Sequence, residues 1–329
     1  MSKAIRLMIL APFVLAWLCG SALAQVTNST KNPKQIAILH WYPANLTTSF
    51  PVGQDARGVT FDGANIWVTN NTSQTVTKLR ASDGALLGTF SGLDASPLGI
   101  VYDGANTWIG CSGVVDKLRA SDGAVIGRFN IPGLLASSLA FDGANIWVSN
   151  VGGDVNFPDL LVTKVRASDG VVLGQFRVGS GSLSANNGLA FDGANVWVTG
   201  VSIVAKVRAS DGALLGTFTV GVNPTAVAFD GANIWVANSR SESVTKLRAS
   251  DGALLGTFSL EPGAFSTGLA FDGANIWVTN SGSNSVTELR ASDGAVVGHF
   301  FPVQGVSGAF FDGANVWVTN GGGNTVTKM

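Results

Sequence analysis

The stretch Phe61–Val68 reads FDGANIWV, and the close copies of it along the chain decide the fold. Seven copies occur, at spacings of 41, 39, 50, 38, 42 and 40 residues. They begin at Phe61, Tyr102, Phe141, Phe191, Phe229, Phe271 and Phe311. A period near 40 residues indicates stacked units, each of which buries its apolar faces only against its neighbours.

A second phrase, of the type RASDGALLGTF, follows the first in most units. Its six copies begin at Arg80, Arg119, Arg166, Arg208, Arg248 and Arg290. Asp-Gly between two apolar runs favours a tight hairpin, and no stretch shows the sustained 3.6-residue period of a helix. The repeat is therefore built from strands and turns.

One unit near the C-terminus shows how many strands each repeat holds. Its apolar runs predict strands over Gly268–Phe271, Ile276–Thr279, Val286–Arg290 and Ala295–Phe300. Four short antiparallel strands in about 40 residues are typical of one blade of a β-propeller. The sequence predicts an all-β, seven-bladed propeller that occupies residues 36–329 as a single domain.

The two phrases differ in number, and the difference predicts how the ring closes. The chain stops at Met329, within the third strand of the last unit, so the seventh copy of the second phrase is missing. Ala37–Gly53 aligns without a gap on Ala205–Gly221 and places Phe50 on Phe218. N-terminal strands are therefore expected to pair with the C-terminal half-blade, which removes open sheet edges.

Strings of the type WVTN carry a resemblance to a known family. They occur at Trp67–Asn70, Trp277–Asn280 and Trp317–Asn320, with WVSN at Trp147 and WVAN at Trp235. On these strings the chain resembles the YVTN-type, and more broadly NHL/YVTN-like, β-propeller repeat proteins. The resemblance covers most of the chain and implies the fold. It does not imply one function, because propellers host binders, lyases, lactonases and dehydrogenases.

The first 24 residues have the pattern of a signal peptide. Lys3 and Arg6 precede an apolar run, and the segment ends in the small-residue cleavage pattern Ala22-Leu23-Ala24. We expect cleavage near Ala24, a short tail over residues 25–35, and a mature protein in the periplasm or the medium. A lipoprotein acylated at Cys19 is the weaker alternative, because Leu18 rather than a small residue precedes it.

Composition narrows the classes of partner. The 20 Lys+Arg against 21 Asp+Glu leave no basic excess for nucleic acid. No other run of 18 apolar residues occurs, so membrane insertion of the mature chain is not expected. Cys111 is alone once the signal peptide is removed, and we expect it to be buried. A monomer is expected.

The repeated polar and aromatic residues are interpreted as scaffold. Thirteen of the 21 acidic residues precede a turn glycine, where Asp can bond its own backbone. Asp272→Asn is therefore expected to cost about 1 kcal/mol or less. The seven repeat tryptophans are expected to lie between blades; exposed tryptophans forming a sugar platform are the alternative.

Binding residues are expected where the repetition breaks down. The loops after each second strand and the linkers between blades vary, and both sets emerge at one end of a propeller. The candidate binding residues in these loops are Asn187, Asn223, Arg240, Glu242, Glu261 and Gln304. The partner would be a protein, a glycan or a small-molecule ligand.

The longest insertions, Val151–Leu161 and Ser180–Asn187, raise the question of a metal. Asp154, Asn156 and Asp159 could supply oxygen ligands to Ca²⁺, but the run lacks the glycine and terminal Glu of an EF-hand loop. A plain solvated loop is the favoured interpretation, and no cofactor is expected.

Catalytic residues are scarce. Lyases of a similar propeller fold use histidine and glutamate, whereas this chain has only His40 and His299, neither of them predicted at the channel mouth. No catalytic residue is assigned, and the favoured function is a non-enzymatic binding or interaction module. A metal-dependent lactonase-like hydrolase on the same face and a purely structural surface repeat protein are the alternatives.

Overall fold

The computed structural model describes residues 48–133, 136–154, 157–180, 188–301 and 304–329. The chain divides into two compact units, Met1–Thr47 and Thr48–Met329, and the described residues all belong to the second. The predicted signal peptide, the predicted tail and residues 36–47 lie outside the described residues.

The second unit is a seven-bladed β-propeller of four-stranded antiparallel sheets, as predicted. Blades 1 and 2 contain β2 (Ala56–Phe61), β3 (Asn65–Asn70), β4 (Thr75–Arg80), β5 (Leu86–Phe90), β6 (Ile100–Tyr102), β7 (Asn106–Gly110), β8 (Val114–Arg119) and β9 (Val125–Asn130). Blades 3 and 4 contain β10 (Ala136–Phe141), β11 (Asn145–Asp154), β12 (Phe157–Arg166), β13 (Val172–Ser180), β14 (Leu189–Phe191), β15 (Asn195–Thr199), β16 (Ile203–Arg208) and β17 (Leu214–Thr219).

Blades 5 and 6 contain β18 (Pro224–Phe229), β19 (Asn233–Asn238), β20 (Ser243–Arg248), β21 (Leu254–Ser259), β22 (Ser266–Phe271), β23 (Asn275–Asn280), β24 (Ser285–Arg290) and β25 (Val296–Phe300). Blade 7 contains β26 (Val306–Phe311), β27 (Val316–Asn320), β28 (Thr325–Lys328) and β1 (Ser49–Pro51). In blade 6 the observed bounds lie within two residues of the predicted ones.

Blade 7 closes the ring with one N-terminal strand. β1 pairs antiparallel with β28, and Phe50 lies opposite Val326 just as Phe218 lies opposite Val204 in blade 4. The register therefore confirms the gap-free alignment over the described part of that segment. The Phe50 ring packs 5.7 Å from the Trp317 ring, so the closing strand is anchored by the aromatic pair that the other blades also contain.

The tryptophan phrase builds the interfaces between blades. Six repeat tryptophans are fully buried and Trp277 is half-buried, which confirms their assignment to the inter-blade core. In every blade the indole Nε1 donates to the aspartate of its own phrase at 2.7 Å. The aspartates are thus acceptors for a core side chain as well as turn residues. Asp272→Asn is therefore expected to cost more than the ~1 kcal/mol of a turn residue, because the substitution places a donor against Trp277 Nε1–H.

A lysine completes the interface in six blades. Its ammonium lies 4.7–5.6 Å from the tryptophan ring centre and donates to an alanine carbonyl of the next blade at 2.6–3.1 Å. Blade 6 differs, because Glu288 stands at the lysine position and accepts a hydrogen bond from Asn275. Burial and the charge of Asp272 raise the pKa of the Glu288 carboxyl. Blade 6 is therefore the one blade without a lysine over its tryptophan ring.

Blade 3 corrects the expectation of a plain loop over residues 151–161. The ladder between β11 and β12 continues from Asn150–Leu161 to Asp154–Phe157, so most of the insertion forms an extended hairpin. Leu160 is fully buried and belongs to an apolar cluster with Val178. Burial of this apolar residue favours continued strand pairing over a solvated loop.

Candidate functional site

The two ends of the ring differ in how they are built. At one end, loops after the second strands bond to the linkers between blades: Ser239 N–H donates to Asn223 O at 3.0 Å, and Leu260 N–H donates to Glu242 O at 2.8 Å. These contacts place the two variable loop sets at one end, here called the variable face. The other end carries the Asp-Gly turns and is called the turn face.

A cavity of about 230 Å³ lies on the axis, lined by the first residues of the innermost strands. Those strands begin directly after the linkers, so the cavity lies toward the variable face. Small residues at one repeated position line it: Gly58, Gly99, Ser138, Gly188, Ala226, Gly268 and Gly308. Several approach the neighbouring backbone closely; a Cβ on Gly58 would lie 2.5 Å from Leu98 O. Small residues therefore permit close packing of the blades and leave the axis open.

Hydrogen bonds from threonine hydroxyl groups join neighbouring blades along the cavity wall. Thr69, Thr279 and Thr319 each donate from Oγ1 to a backbone carbonyl at the head of the next blade, at 2.7 Å. The acceptors are the carbonyls of Leu98, Ser307 and Arg57. These bonds hold the innermost strands in fixed positions, so the cavity is preorganised by its scaffold.

Arg57 is a site residue that the sequence analysis did not predict. It lines the cavity, and its guanidinium pairs with Asp55 through Nε at 2.9 Å and Nη2 at 3.1 Å. The sequence does contain a signal for it. When the seven units are aligned, one column holds the residue directly before each small cavity-lining residue: Arg57, Leu98, Ser137, Asn187, Thr225, Thr267 and Ser307. Arg57 is the one charged member of that column. The cavity wall therefore presents one charged side chain, which is held by Asp55, together with hydroxyl-bearing residues.

Two of the predicted binding residues tie loops together. Glu242 has a φ of 47°, and its Oε1 accepts from Gly263 N–H at 2.8 Å. Glu261 Oε1 accepts from Ser283 at 2.6 Å and from Ser285. These two hydroxyl donors lower the pKa of the Glu261 carboxyl, despite an opposing effect of burial. Both carboxylates therefore stabilise the variable face at separate blade junctions.

The other predicted binding residues have different surroundings. Arg240 is exposed, and its side chain has no hydrogen bond or ion pair in the described structure. Asn223 is half-buried with a φ of 54°, and Gln304 is exposed. Asn187 lies outside the described residues. The structure brings Asn223 and Arg240 onto neighbouring loops, since Arg240 N–H donates to Val222 O at 3.1 Å.

The described histidine and cysteine lie away from the axial cavity. His299 is exposed on the outermost strand of blade 6, with Nδ1 3.3 Å from Thr287 Oγ1, as predicted from the repeat; His40 lies outside the described residues. Cys111 is fully buried. Burial, and then the nearby Asp116 carboxylate, raise the pKa of the Cys111 thiol. A thiol in that environment is a poor nucleophile.

The structure describes no cluster of the three candidate calcium ligands. Asp159 pairs with Arg177 at 2.5 Å, Asp154 ends β11, and Asn156 lies outside the described residues. Within the described ranges, no three His, Cys, Asp or Glu side chains are grouped to hold a metal ion. Those ranges also contain no helix long and apolar enough to cross a membrane.

A second depression lies on the turn face between blades 3 and 4. Its volume is about 580 Å³, and its lining includes Asp142, Lys164 and Arg208. Asp142 and Arg208 belong to the repeated phrases, Lys164 stands at the repeated lysine position, and all three make the same bonds as their equivalents in other blades. The depression therefore lacks individual chemistry, which favours the smaller axial cavity as the candidate site.

Known structures share this fold at low sequence identity. A structure of Kuenenia stuttgartiensis hydrazine synthase matches with a TM-score of 0.71 at 14% identity, covering 84% of this chain and 95% of that one. A streptogramin B lyase structure matches with a TM-score of 0.70 at 17% identity, covering 85% and 95%. Virginiamycin B lyase from Staphylococcus aureus, as the selenomethionine protein, matches with a TM-score of 0.69 at 16% identity, covering 85% and 97%.

These neighbours are seven-bladed propellers, and at such identities the likeness shows the fold alone. No protein-family model and no curated protein matches the sequence.

Proposed function

We propose that the protein is an exported, non-enzymatic binding module of the YVTN/NHL-like repeat type. Its ligand contacts the variable face around the axial cavity. One observation carries this proposal: the cavity lies toward the face whose loops differ between blades, and it is lined by Arg57, which is ion-paired with Asp55. The repeated aspartates and lysines are engaged in scaffold bonds elsewhere. Individual loops on a rigid ring are the usual place for recognition.

Export is the second part of this proposal and rests on the N-terminal pattern. Residues 1–24 combine a basic start, an apolar run and a small-residue cleavage pattern. Mass spectrometry of the protein produced with its full N-terminus is expected to find Gln25 as the first residue. Retention of Met1, or a lipid-modified Cys19, would contradict the assignment.

A metal-dependent lactonase-like hydrolase remains the second candidate, and a lyase is added to it because the neighbours include two lyases. A lactonase-like site would require metal ligands at the axis, whereas Glu242 and Glu261 are bound to loop donors. The described histidine, His299, lies on an outermost strand rather than at the cavity. The binding module is therefore the better supported function.

The test is a ligand screen by thermal shift on the mature protein, with and without a chelator. For any ligand that binds, Arg57→Ala is expected to weaken affinity by about tenfold or more, the scale of a lost charged hydrogen bond. Arg248→Ala is the matched control, because Arg248 is an exposed arginine on the turn face that also pairs with an aspartate. Equal effects of both variants, or turnover abolished by the chelator, would contradict the proposal.

A further inference from the structure

Arg240 differs from every other described lysine and arginine. The other fifteen each donate to a carbonyl or carboxylate of this chain. The Arg240 guanidinium has no such partner in the described structure, although it lies on an ordered loop next to β19. A free guanidinium on the variable face presents unused donors to a partner.

Exposed apolar side chains flank this arginine. Val222 is 51% exposed, and its carbonyl accepts from Arg240 N–H at 3.1 Å. Val201 is 49% exposed, and its carbonyl accepts from Asn223 N–H at 3.2 Å. The backbone bonds hold the three loops side by side. The result is an apolar ridge with one unpaired positive charge beside it.

Phe265, on the next linker, has a strained backbone conformation, and its side chain is not buried. Its φ is 44°, and its side chain is 48% exposed. Other linkers place at the equivalent position residues that tolerate positive φ more easily: Asp55, Ser96, Asn223 and Gly305. A bulky residue at positive φ is an outlier, and such strain concentrates at binding sites.

The neighbouring sequence makes room for this phenylalanine. Gly282 lies against its ring, and a Cβ on Gly282 would approach Phe265 Cδ2 to 2.3 Å. The Phe265 linker is also joined to the Arg240 loop, because Glu242 Oε1 accepts from Gly263 N–H at 2.8 Å. Phe265, Arg240, Val222 and Val201 therefore form one set of linked loops, here called the blade 5 patch.

We propose that the blade 5 patch docks an acidic polypeptide segment, with a carboxylate on Arg240 and apolar side chains against Val222 and Phe265. This inference rests on the proposed function, since it specifies a partner for the same face. The patch offers donors and apolar surface, while the nearby carboxylates of Glu242 and Glu261 already accept bonds. Arginine and aromatic residues are enriched at the energetic centres of protein interfaces.

The test begins with a random dodecapeptide library displayed on phage and selected on the full-length mature protein. The selected peptides are expected to combine Asp or Glu with neighbouring aliphatic or aromatic residues. The best peptide is then synthesised, and its affinity is measured by fluorescence anisotropy. Arg240→Ala and replacement of the peptide's acidic residue by its amide are each expected to lower affinity at least tenfold. Added salt is expected to weaken binding of the unmodified pair.

Phe265→Asn separates binding from folding. Asn occupies the equivalent position in the preceding linker and tolerates positive φ, so the unfolding temperature is expected to stay the same or rise. Peptide affinity is expected to fall at least fivefold, because the aromatic contact is lost. Affinity that does not change, or that falls only in step with stability, would overturn the docking assignment. Selected peptides without acidic enrichment, or no peptide with a Kd below about 100 µM, would overturn it as well.

Two further variants distinguish this proposal from the broader one. Peptide binding that depends on Arg57 and not on Arg240 would reject the blade 5 patch and keep the variable face as the binding face. Binding that depends on the turn-face control Arg248 alone would reject both proposals. Capture of glycans or small molecules through Arg240, with no peptide binding, would reject the polypeptide as the partner.

Discussion

The turn face and the variable face are built from the same strands, yet different groups hold them together. On the turn face, each blade repeats a tryptophan bonded to an aspartate, and in six blades a lysine covers the ring and bonds to the next blade. On the variable face, neighbouring loops are joined mainly by backbone bonds such as Ser239 N–H to Asn223 O. The first arrangement requires particular side chains at particular positions. The second leaves many side chains free to vary.

This ring can change its side chains on the variable face without losing its fold. The aspartate bonded to each tryptophan accepts several hydrogen bonds, as Asp230 does, so its replacement leaves a buried donor unpaired. An exposed side chain such as Arg240 has none in the described structure, so its replacement affects little besides a partner. Variation between blades therefore collects on the face where it is least costly.

The largest effect is expected at an aspartate of the turn face. Asp230 Oδ2 accepts from Trp235 Nε1 at 2.7 Å, and its Oδ1 accepts from two backbone N–H groups. Asp230→Asn keeps one acceptor but turns an amide donor toward Trp235, at an expected cost of about 1–3 kcal/mol. Chemical denaturation measures this change.

The control for that prediction is the second aspartate of the same blade. Asp251 lies in the exposed hairpin turn and pairs with Arg248. Asp251→Asn is expected to cost about 0.5 kcal/mol or less, because exposed ion pairs contribute little. Equal losses in the two variants would show that Trp235 does not depend on its aspartate.

Acid is expected to weaken the turn face. Burial raises the pKa of Asp230, but bonds from Trp235, Asn233 and the backbone outweigh it, and its pKa lies below the usual 3.8. The same direction holds for the equivalent aspartates of the other six blades. Their stabilising contribution is present above pH 3.8 and is lost as the pH falls through the lowered values.

Unfolding temperatures measured between pH 6 and pH 2 test this prediction. The loss of stability is expected to begin near pH 4 and to steepen below it, with a shallower fall for Asp230→Asn. A flat profile down to pH 2 would contradict a structural role for these carboxylates.

The smallest effect is expected at Glu288, which replaces the repeated lysine in blade 6. The pKa of Glu288 is raised, so its ionised form costs stability above the ordinary Glu value of 4.5. Glu288→Gln is expected to raise the unfolding temperature slightly at pH 7, by about 1–2 °C, and to have no effect at pH 3. Lys246→Gln, at the equivalent position of blade 5, is expected to lower it. A destabilising Glu288→Gln would show that the carboxylate has a stabilising partner.

Repetition in the sequence determined the fold because each phrase encodes its own local structure. Asp-Gly turns, apolar runs and the period near 40 residues specify four strands for each blade, and the missing half-phrase specifies where the closing strand must pair. The sequence alone aligns Phe50 with Phe218, and the strand register agrees. The position of the variable loops at one end also followed from strand order alone.

Contacts between distant residues were decided only in the tertiary structure. Nothing local distinguishes Glu242, whose carboxylate binds Gly263, from Arg240, which has no partner in the described structure. The extended hairpin of blade 3 likewise depends on burial of Leu160 against its surroundings. Sequence patterns report which backbone conformations are favourable, whereas the partner of a side chain depends on which loops the closed ring brings together.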